Sequence, residues 1–246
     1  MQLRILGTGT SQVSKERVST ANHLKIGDKS VLVDCGCGAL VRLDQAGIPF
    51  KDIDIIFISH FHIDHILDLY SILWALKYPY LNRKKDLLIV GPPGFKKFYD
   101  TYVKPIVFSE PFEEFRIKII EIKDKIKFKD FIVETHRTPH TDESLAYKFT
   151  ENEKILVIAG DMDYDKELIS FSKNADILIL ECSFDNSKKV EGHLIPKECG
   201  KIAKNANVKK LIITHCYPIP KETRLKETRL IFKNTIMAED LMKIEI

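Results

Sequence analysis

His60-Phe61-His62-Ile63-Asp64-His65 gathers three imidazoles and one carboxylate into six residues, directly after the mostly apolar run Ile53 to Ile58. A short β-branched run of that kind reads as a strand, so the polar cluster falls on the turn at its end. Desolvating so many polar groups in one turn is costly unless a ligand satisfies them, and a metal ion is the ligand that imidazole and carboxylate share. A purely structural turn is the weaker reading, because donors of the same kinds recur at other expected strand ends. His140 lies before Leu145–Phe149, Asp161 follows Ile155–Ile158 through Ala159-Gly160, and His215 follows Leu211–Thr214. Five histidines and two aspartates arriving from four loops suit two borderline-soft divalent ions.

The chain has 246 residues, 44% hydrophobic and 30% charged, the make-up of an ordinary globular protein able to bury a sizeable core. Its net charge of +3 does not call for a nucleic-acid partner. No apolar run reaches the roughly 18 residues a membrane span needs, so no membrane partner is expected. Met1 to Gly7 carries no signal-peptide hydrophobic region. The five scattered cysteines, Cys35, Cys37, Cys182, Cys199 and Cys216, fit a reduced, cytoplasmic protein. Cys35 and Cys37, one residue apart, lack the spacing of a zinc knuckle and read as buried thiols.

Strand-like runs alternate with helical patterns in both halves. Strands are expected at Leu3–Leu6, His23–Ile26, Ser30–Asp34, Ile53–Ile58, Leu87–Val90, Ile117–Ile122, Phe131–Glu134, Leu145–Phe149, Ile155–Ile158, Ile177–Leu180 and Leu211–Thr214. Helices are expected at Gly38–Ala46, Ile66–Leu76, Phe95–Tyr102, Lys166–Ser172, Pro196–Asn205 and Lys221–Phe232. Pro196 opens one helical run and Gly47 follows another, as helix ends prefer. The tandem Lys-Glu-Thr-Arg-Leu of 221–225 and 226–230 reads as one charged helix, and the alternating Met242 to Ile246 as a closing strand. No Gly, Ser or Pro linker divides the chain, so one domain over 1–246 is expected.

The pattern His-x-His-x-Asp-His resembles the signature of the metallo-β-lactamase superfamily. Leu6-Gly7-Thr8-Gly9-Thr10 and Asp34-Cys35-Gly36 resemble the opening of ribonuclease Z and its phosphodiesterase relatives. So does the placement of Ser144 and Tyr147 four and seven residues after His140. Leu180-Glu181-Cys182-Ser183-Phe184 is similar to that group's His-Glu-Ala-Thr segment with the leading His replaced, and Gly192-His193-Leu194 to its Gly-His-Ser segment. The resemblance implies an α/β fold, the αβ/βα four-layer sandwich, with two mixed β-sheets face to face and helices outside. It implies two divalent ions, zinc first, with manganese or iron as alternatives. His60, His62 and His140 would hold one ion, Asp64, His65 and His215 the other, and Asp161 would bridge them. His193, oriented by Glu181, would face the scissile phosphate, and Asp64 would also touch the nucleophile.

Phosphodiester hydrolysis is therefore the expected chemistry, with RNA among the candidate substrates. Two departures argue against tRNA processing. Only 20 residues separate His140 from Asp161, and they read as a strand pair where the tRNA enzymes usually carry a long arm. Ile63 also stands where those enzymes usually have a small residue. A tRNA endonuclease without the arm, and a carboxyl-ester, lactone or sulfate-ester hydrolase on the same centre, stay open as alternatives. Members of the group are commonly dimers, and Leu69, Ile72, Trp74 and Leu76 make the helix after His65 apolar enough for a homodimer contact or for core packing.

Among the competing residues, His136 is weighed against His140 and set aside on the Ser144 and Tyr147 spacing. Asp163 and Asp165 are expected to begin a helix, and His23 to sit in a strand. Asp34 is read either as a partner of a metal-facing histidine or as a solvated strand end. Arg83-Lys84-Lys85 reads as a solvated basic turn.

Overall fold

A computed structural model describes the whole chain apart from residues 13, 79–80, 109–114 and 219–220, and describes 221–222 by backbone alone. Fourteen strands of the described residues form two mixed sheets of seven. In the first, β1 (Gln2–Gly7), β2 (Ala21–Ile26), β3 (Lys29–Cys35), β4 (Ile55–Phe57), β5 (Leu87–Gly91) and β6 (Ile117–Glu121) lie in chain order. In the second, β7 (Lys125–Lys127), β8 (Ile132–Arg137), β9 (Leu145–Glu151), β10 (Lys154–Ala159), β11 (Ile177–Glu181), β12 (Lys210–Thr214) and β13 (Thr235–Met237) do the same. The closing β14 (Met242–Glu245) returns to pair antiparallel with β1, Leu3 opposite Ile244. β3 to β6 run parallel, as do β10 to β13.

The two-residue period of the strands sorts their side chains into layers. In β11, Ile177 and Ile179 enter the apolar layer between the sheets while Leu178 and Leu180 face the layer beneath the outer helices. β11 is buried along its whole length, as a parallel strand covered on both faces should be. On the outer face of the first sheet, Leu43 of α1 (Ala39–Gln45) and Leu69, Ile72, Leu73 and Leu76 of α3 (Asp68–Leu76) close the second apolar layer. Leu168 of α6 (Lys166–Phe171) and Cys199, Ile202 and Ala203 of α7 (Pro196–Asn205) close the third. The four-layer α/β sandwich expected from the sequence is the observed fold. No helix among the described residues is long and apolar enough to cross a membrane.

One cluster of the central layer bears directly on the motif. Phe57 packs edge-on against Tyr147 and Phe149 at centroid distances of 5.1 and 5.4 Å. The buried Tyr147 hydroxyl donates to the Ile58 carbonyl at 2.6 Å. The strand that launches His60 is thus anchored by the same Tyr147 whose spacing marked His140.

Several sequence readings need amendment. The helix expected from Ile66 begins at α2 (Ile63–Ile66), so Asp64 and His65 are helical. The helix expected at Phe95–Tyr102 is α4 (Phe95–Phe98), which continues through a wider turn at Tyr99–Val103 into α5 (Lys104–Val107). β7 and β13 are additional: three residues each, one of them Lys-Ile-Lys, give too little alternation to read. Cys37 is exposed, while the other four cysteines are buried. Arg83 is buried, its guanidinium spent on the Lys51 and Asp86 carbonyls. Leu69, Ile72 and Leu76 are committed to the chain's own core; of the four residues considered for a subunit contact, Trp74 alone is exposed.

Candidate metal centre

Parallel strands end on one edge of each sheet, and an α/β sheet presents its chemistry beyond those carboxyl ends. His60 and His62 leave β4 in extended chain; at His62 the backbone (φ −64°, ψ 147°) turns into α2. That switch sends Asp64 and His65 in a different direction from His60 and His62. The second sheet faces them with His140 between β8 and β9, Asp161 after β10 and His215 after β12.

Ligand atoms of His60, His62, His140 and Asp161 all lie within 4.8 Å of one another, as do those of Asp64, His65 and His215. Each group could hold a metal ion. Asp161 stands between the two. Its Oδ1 is 3.4 Å from His65 Nε2, and its Oδ2 is 3.3 Å from His215 Nε2 and 3.8 Å from His140 Nε2. Asp64 Oδ2 is 3.3 Å from His215 Nε2. A third cluster joins Asp161, His193 and His215.

Whether these residues fit a cation is tested by what their buried atoms lack. His60 Nε2 is buried without a hydrogen-bond partner, and His65 Nε2 and Asp161 Oδ1, 3.4 Å apart, have no well-formed hydrogen bond even to each other. Such groups are costly to leave unsatisfied, and all three belong to this cluster. The opposite ring nitrogens are taken. Asp34 Oδ2 receives His65 Nδ1 at 2.8 Å and the Ser59 hydroxyl at 2.7 Å, and the Ser59 oxygen sits 3.0 Å from His60 Nδ1. Across the site Glu181 repeats the arrangement: Oε1 receives His193 Nδ1 at 2.9 Å, Oε2 receives the Ser183 hydroxyl at 2.7 Å, and that oxygen sits 2.9 Å from His215 Nδ1. His140 Nδ1 donates to the Gly192 carbonyl at 2.8 Å. Nδ1 held in this way turns Nε2 toward the ligand, the usual orientation device of histidine metal sites. The borderline nitrogen and carboxylate set fits two divalent ions.

The charges agree with that geometry. Burial, aided by the neighbouring His65 and His62, holds the His60 pKa well below the ordinary value, leaving a neutral lone pair. Burial opposes ionisation of Asp161, yet His215 and His65 keep it well below the carboxylate range. Burial likewise opposes Asp64, which His215 and His65 bring down to about 2. His65 is raised, against its burial, by Asp161 and Asp34. Two carboxylates facing one buried imidazole favour positive charge in that space, and metal binding at such sites releases protons.

Gly36 explains the Asp34-Cys35-Gly36 run. A Cβ there would sit 2.0 Å from the Asp64 carbonyl, so only glycine lets the turn dock on β3. Asp34 is accordingly the partner of His65 and not a solvated strand end. His136 bonds Asp165 at 2.5 Å and lies outside the metal-facing groups; Asp165 caps α6 by accepting from Glu167 N–H. Asp163 does not begin that helix and instead accepts from Gly192 N–H and Lys189. Sequence reading missed Ser59, Ser183 and Tyr217. Ser59 adjoins His60, Ser183 stands two residues after Glu181, and Tyr217, two residues after His215, lines one cavity with Asp64, Asp161, His193 and His215.

This is the fold of the metallo-β-lactamase-fold proteins, with the donor set of a metal-dependent hydrolase, and along its whole length the chain is similar to proteins named ribonuclease Z. The family model described as "Anti-Pycsar protein Apyc1" matches residues 1–228, and the chain belongs to that family. A ribonuclease Z of Archaeoglobus fulgidus is 28% identical over an alignment covering 100% of this chain and 97% of the relative. That alignment spans 304 positions against 246 residues here, so the archaeal protein has segments without counterpart in this chain. The solved structure of YhfI from Bacillus subtilis, a metallo-β-lactamase fold protein, superposes with a TM-score of 0.88 at 24% identity, covering 100% of this chain and 99% of the other. The short form of human tRNase Z gives 0.81 at 23% identity, with 100% and 99% coverage.

Proposed function

We propose that the protein hydrolyses a compact phosphodiester, with zinc the metal in both positions. His60, His62 and His140 would hold one ion, Asp64, His65 and His215 the other, and Asp161 both. Two such ions would activate the attacking water near neutral pH and would neutralise charge on the phosphoryl oxygens. The chain's own groups do the rest. The Asp64 carboxylate accepts a hydrogen bond from the attacking water. His193 is held through Nδ1 by Glu181, and its pKa is raised, against its burial, by Glu181, Asp161 and Asp64. Its contact with Glu181 favours the protonated ring that a proton donor requires. As the new P–O bond forms and the ester P–O bond breaks, His193 passes that proton to the departing alkoxide.

One observation carries the reading: His193, held from behind by the buried Glu181, lines the same cavity, of about 280 Å³, as Asp64, His140, Asp161 and His215. A space of that size at the reacting groups admits a small phosphodiester. The compact reading is further supported by the β9–β10 hairpin, which spans the chain between His140 and Asp161 without an arm. The five free cysteines support a reducing cytoplasm. A homodimer would use the exposed Ile63, Leu67, Trp74, Tyr78, Tyr102 and Ile106 rather than the buried face of α3.

The test compares zinc-loaded protein on bis(p-nitrophenyl) phosphate, cyclic AMP and a tRNA precursor with a trailer, each beside Asp161→Ala. Hydrolysis of the small diesters alone is expected. Specific trailer cleavage would establish a tRNA enzyme, and activity on neither class with metals bound would move the assignment to carbon or sulfur esters.

A further inference from the structure

Lys189 is not a candidate ligand, yet its ammonium ties three pieces of chain together around His193. Nζ donates to Asp163 Oδ1 at 2.7 Å, to the His193 carbonyl at 2.6 Å and to Glu198 Oε2 at 2.7 Å. Those three bonds use all the donors an ammonium has. Glu198 also accepts from Ile195 N–H at the start of α7, at 3.2 Å. Asp163 receives Gly192 N–H on its other oxygen at 2.9 Å, and the Gly192 carbonyl accepts from His140 Nδ1 at 2.8 Å. Asp163 N–H in turn donates to the Pro139 carbonyl at 2.8 Å. The segment carrying His193 is therefore fastened to both loops that carry Asp161 and His140. Its fit is close: Gly192 is at φ +79°, and a Cβ there would lie 3.1 Å from His140 Nδ1.

We infer that Lys189 and Asp163 are positioning residues for His193, setting where its imidazole stands relative to the Asp161 carboxylate. The inference rests on the reading of His193 as proton donor. Side chains of Lys189 and Asp163 are about one-third exposed (34% and 28%), so as an ion pair they contribute little to stability. Catalysis is more demanding, since a misplacement of about 1 Å can cost on the order of 100-fold. The two roles therefore separate by experiment.

The variants are Lys189→Met, Asp163→Asn and the conservative Lys189→Arg, with His193→Ala as reference. In metal-free protein, long-range ¹H–¹⁵N spectra assign the ring nitrogens of His193 by their disappearance in His193→Ala. Lys189→Met and Asp163→Asn are expected to shift these signals away from those of a ring bonded to Glu181, and Lys189→Arg to bring them back. Unmoved His193 signals would overturn the inference whatever the enzyme's substrate. In zinc-loaded protein, kcat for cyclic AMP, whose alkoxide needs a proton, should fall roughly 10- to 100-fold with KM and melting temperature nearly constant. Bis(p-nitrophenyl) phosphate, whose phenolate leaves unaided, should lose less than about 3-fold. Equal losses on both substrates would mean a structural role. If His193→Ala itself fails to separate the two substrates, the proton-donor reading fails instead, and the spectra still report on Lys189.

Discussion

Glu181 Oε1 receives the Nδ1 proton of His193 at 2.9 Å, at the end of a strand where the carboxylate is 1% exposed. The same carboxylate takes Leu194 N–H at 3.0 Å, Met162 N–H at 3.3 Å, and both Ser183 N–H and the Ser183 hydroxyl. A buried carboxylate is tolerable when so many donors surround it. Glu181→Gln keeps the shape but turns an amide donor against other donors, and removes the charge that holds the His193 proton. We expect a stability loss of about 1–3 kcal/mol. Because Glu181 raises the His193 pKa, the alkaline limb of the kcat–pH profile should move to lower pH in the variant. An unmoved limb would show that Glu181 does not govern that proton.

Asp161→Ala removes the carboxylate that stands between His65, His140 and His215. The wild-type protein should bind about two equivalents of zinc, and the variant at most one. Elemental analysis after dialysis measures this directly. Full metal content in the variant would refute the bridging assignment.

Gly36→Ala should act on the metal centre through backbone, without touching a ligand side chain. Its Cβ meets the Asp64 carbonyl, which is backbone and cannot swing aside. Either β3 or the first turn of α2 must move, and both carry residues of the site. We expect a lower melting temperature together with weaker zinc retention. Loss of stability with metal affinity intact would mean that the turn relaxes without disturbing Asp64 and His65.

His23 offers a pH effect separable from the metal site. It is buried in β2, bonded to Ser30 Oγ at 2.8 Å, and its pKa is lowered to about 4 by burial, Lys25 and Arg4. The unfolded chain takes up this proton near pH 6.5, the folded chain only near 4. Between those values the unfolded state binds more protons, so stability is full above about 6.5 and is lost as pH falls toward 4, by about 3 kcal/mol. His23→Gln keeps a hydrogen-bonding group without titrating. Urea unfolding of metal-free protein should therefore show a shallower acid loss in the variant, and identical slopes would contradict the assignment.

Local chemistry made much of this site readable. His60 to His65 lie within one strand-to-helix turn, so their proximity follows from chain connectivity alone. Strand periodicity placed His140, Asp161 and His215 at strand ends, and the alternating layers of the sandwich followed from the same period. Where that period was too short to count, as in β7 and β13, the elements were invisible. The buried state of Arg83 and the exposure of Cys37 were misread because each depends on what lies across from the residue, not beside it.

The tertiary structure alone decided how the side chains are held. Asp34 reaches His65 over 31 residues, Ser183 joins Glu181 to His215, and Lys189 joins Asp163 to Glu198. These bonds arise because two sheets close on each other and bring their strand ends to one edge. A hydrogen bond is set by distances of tenths of an ångström between atoms remote in the chain, whereas residue type and period set only which atoms are available. The sequence by itself determined the layered fold and which candidate donors stand at its strand ends; which ring nitrogen of each histidine is held, and what Lys189 ties together, depend on the packing of one sheet against the other.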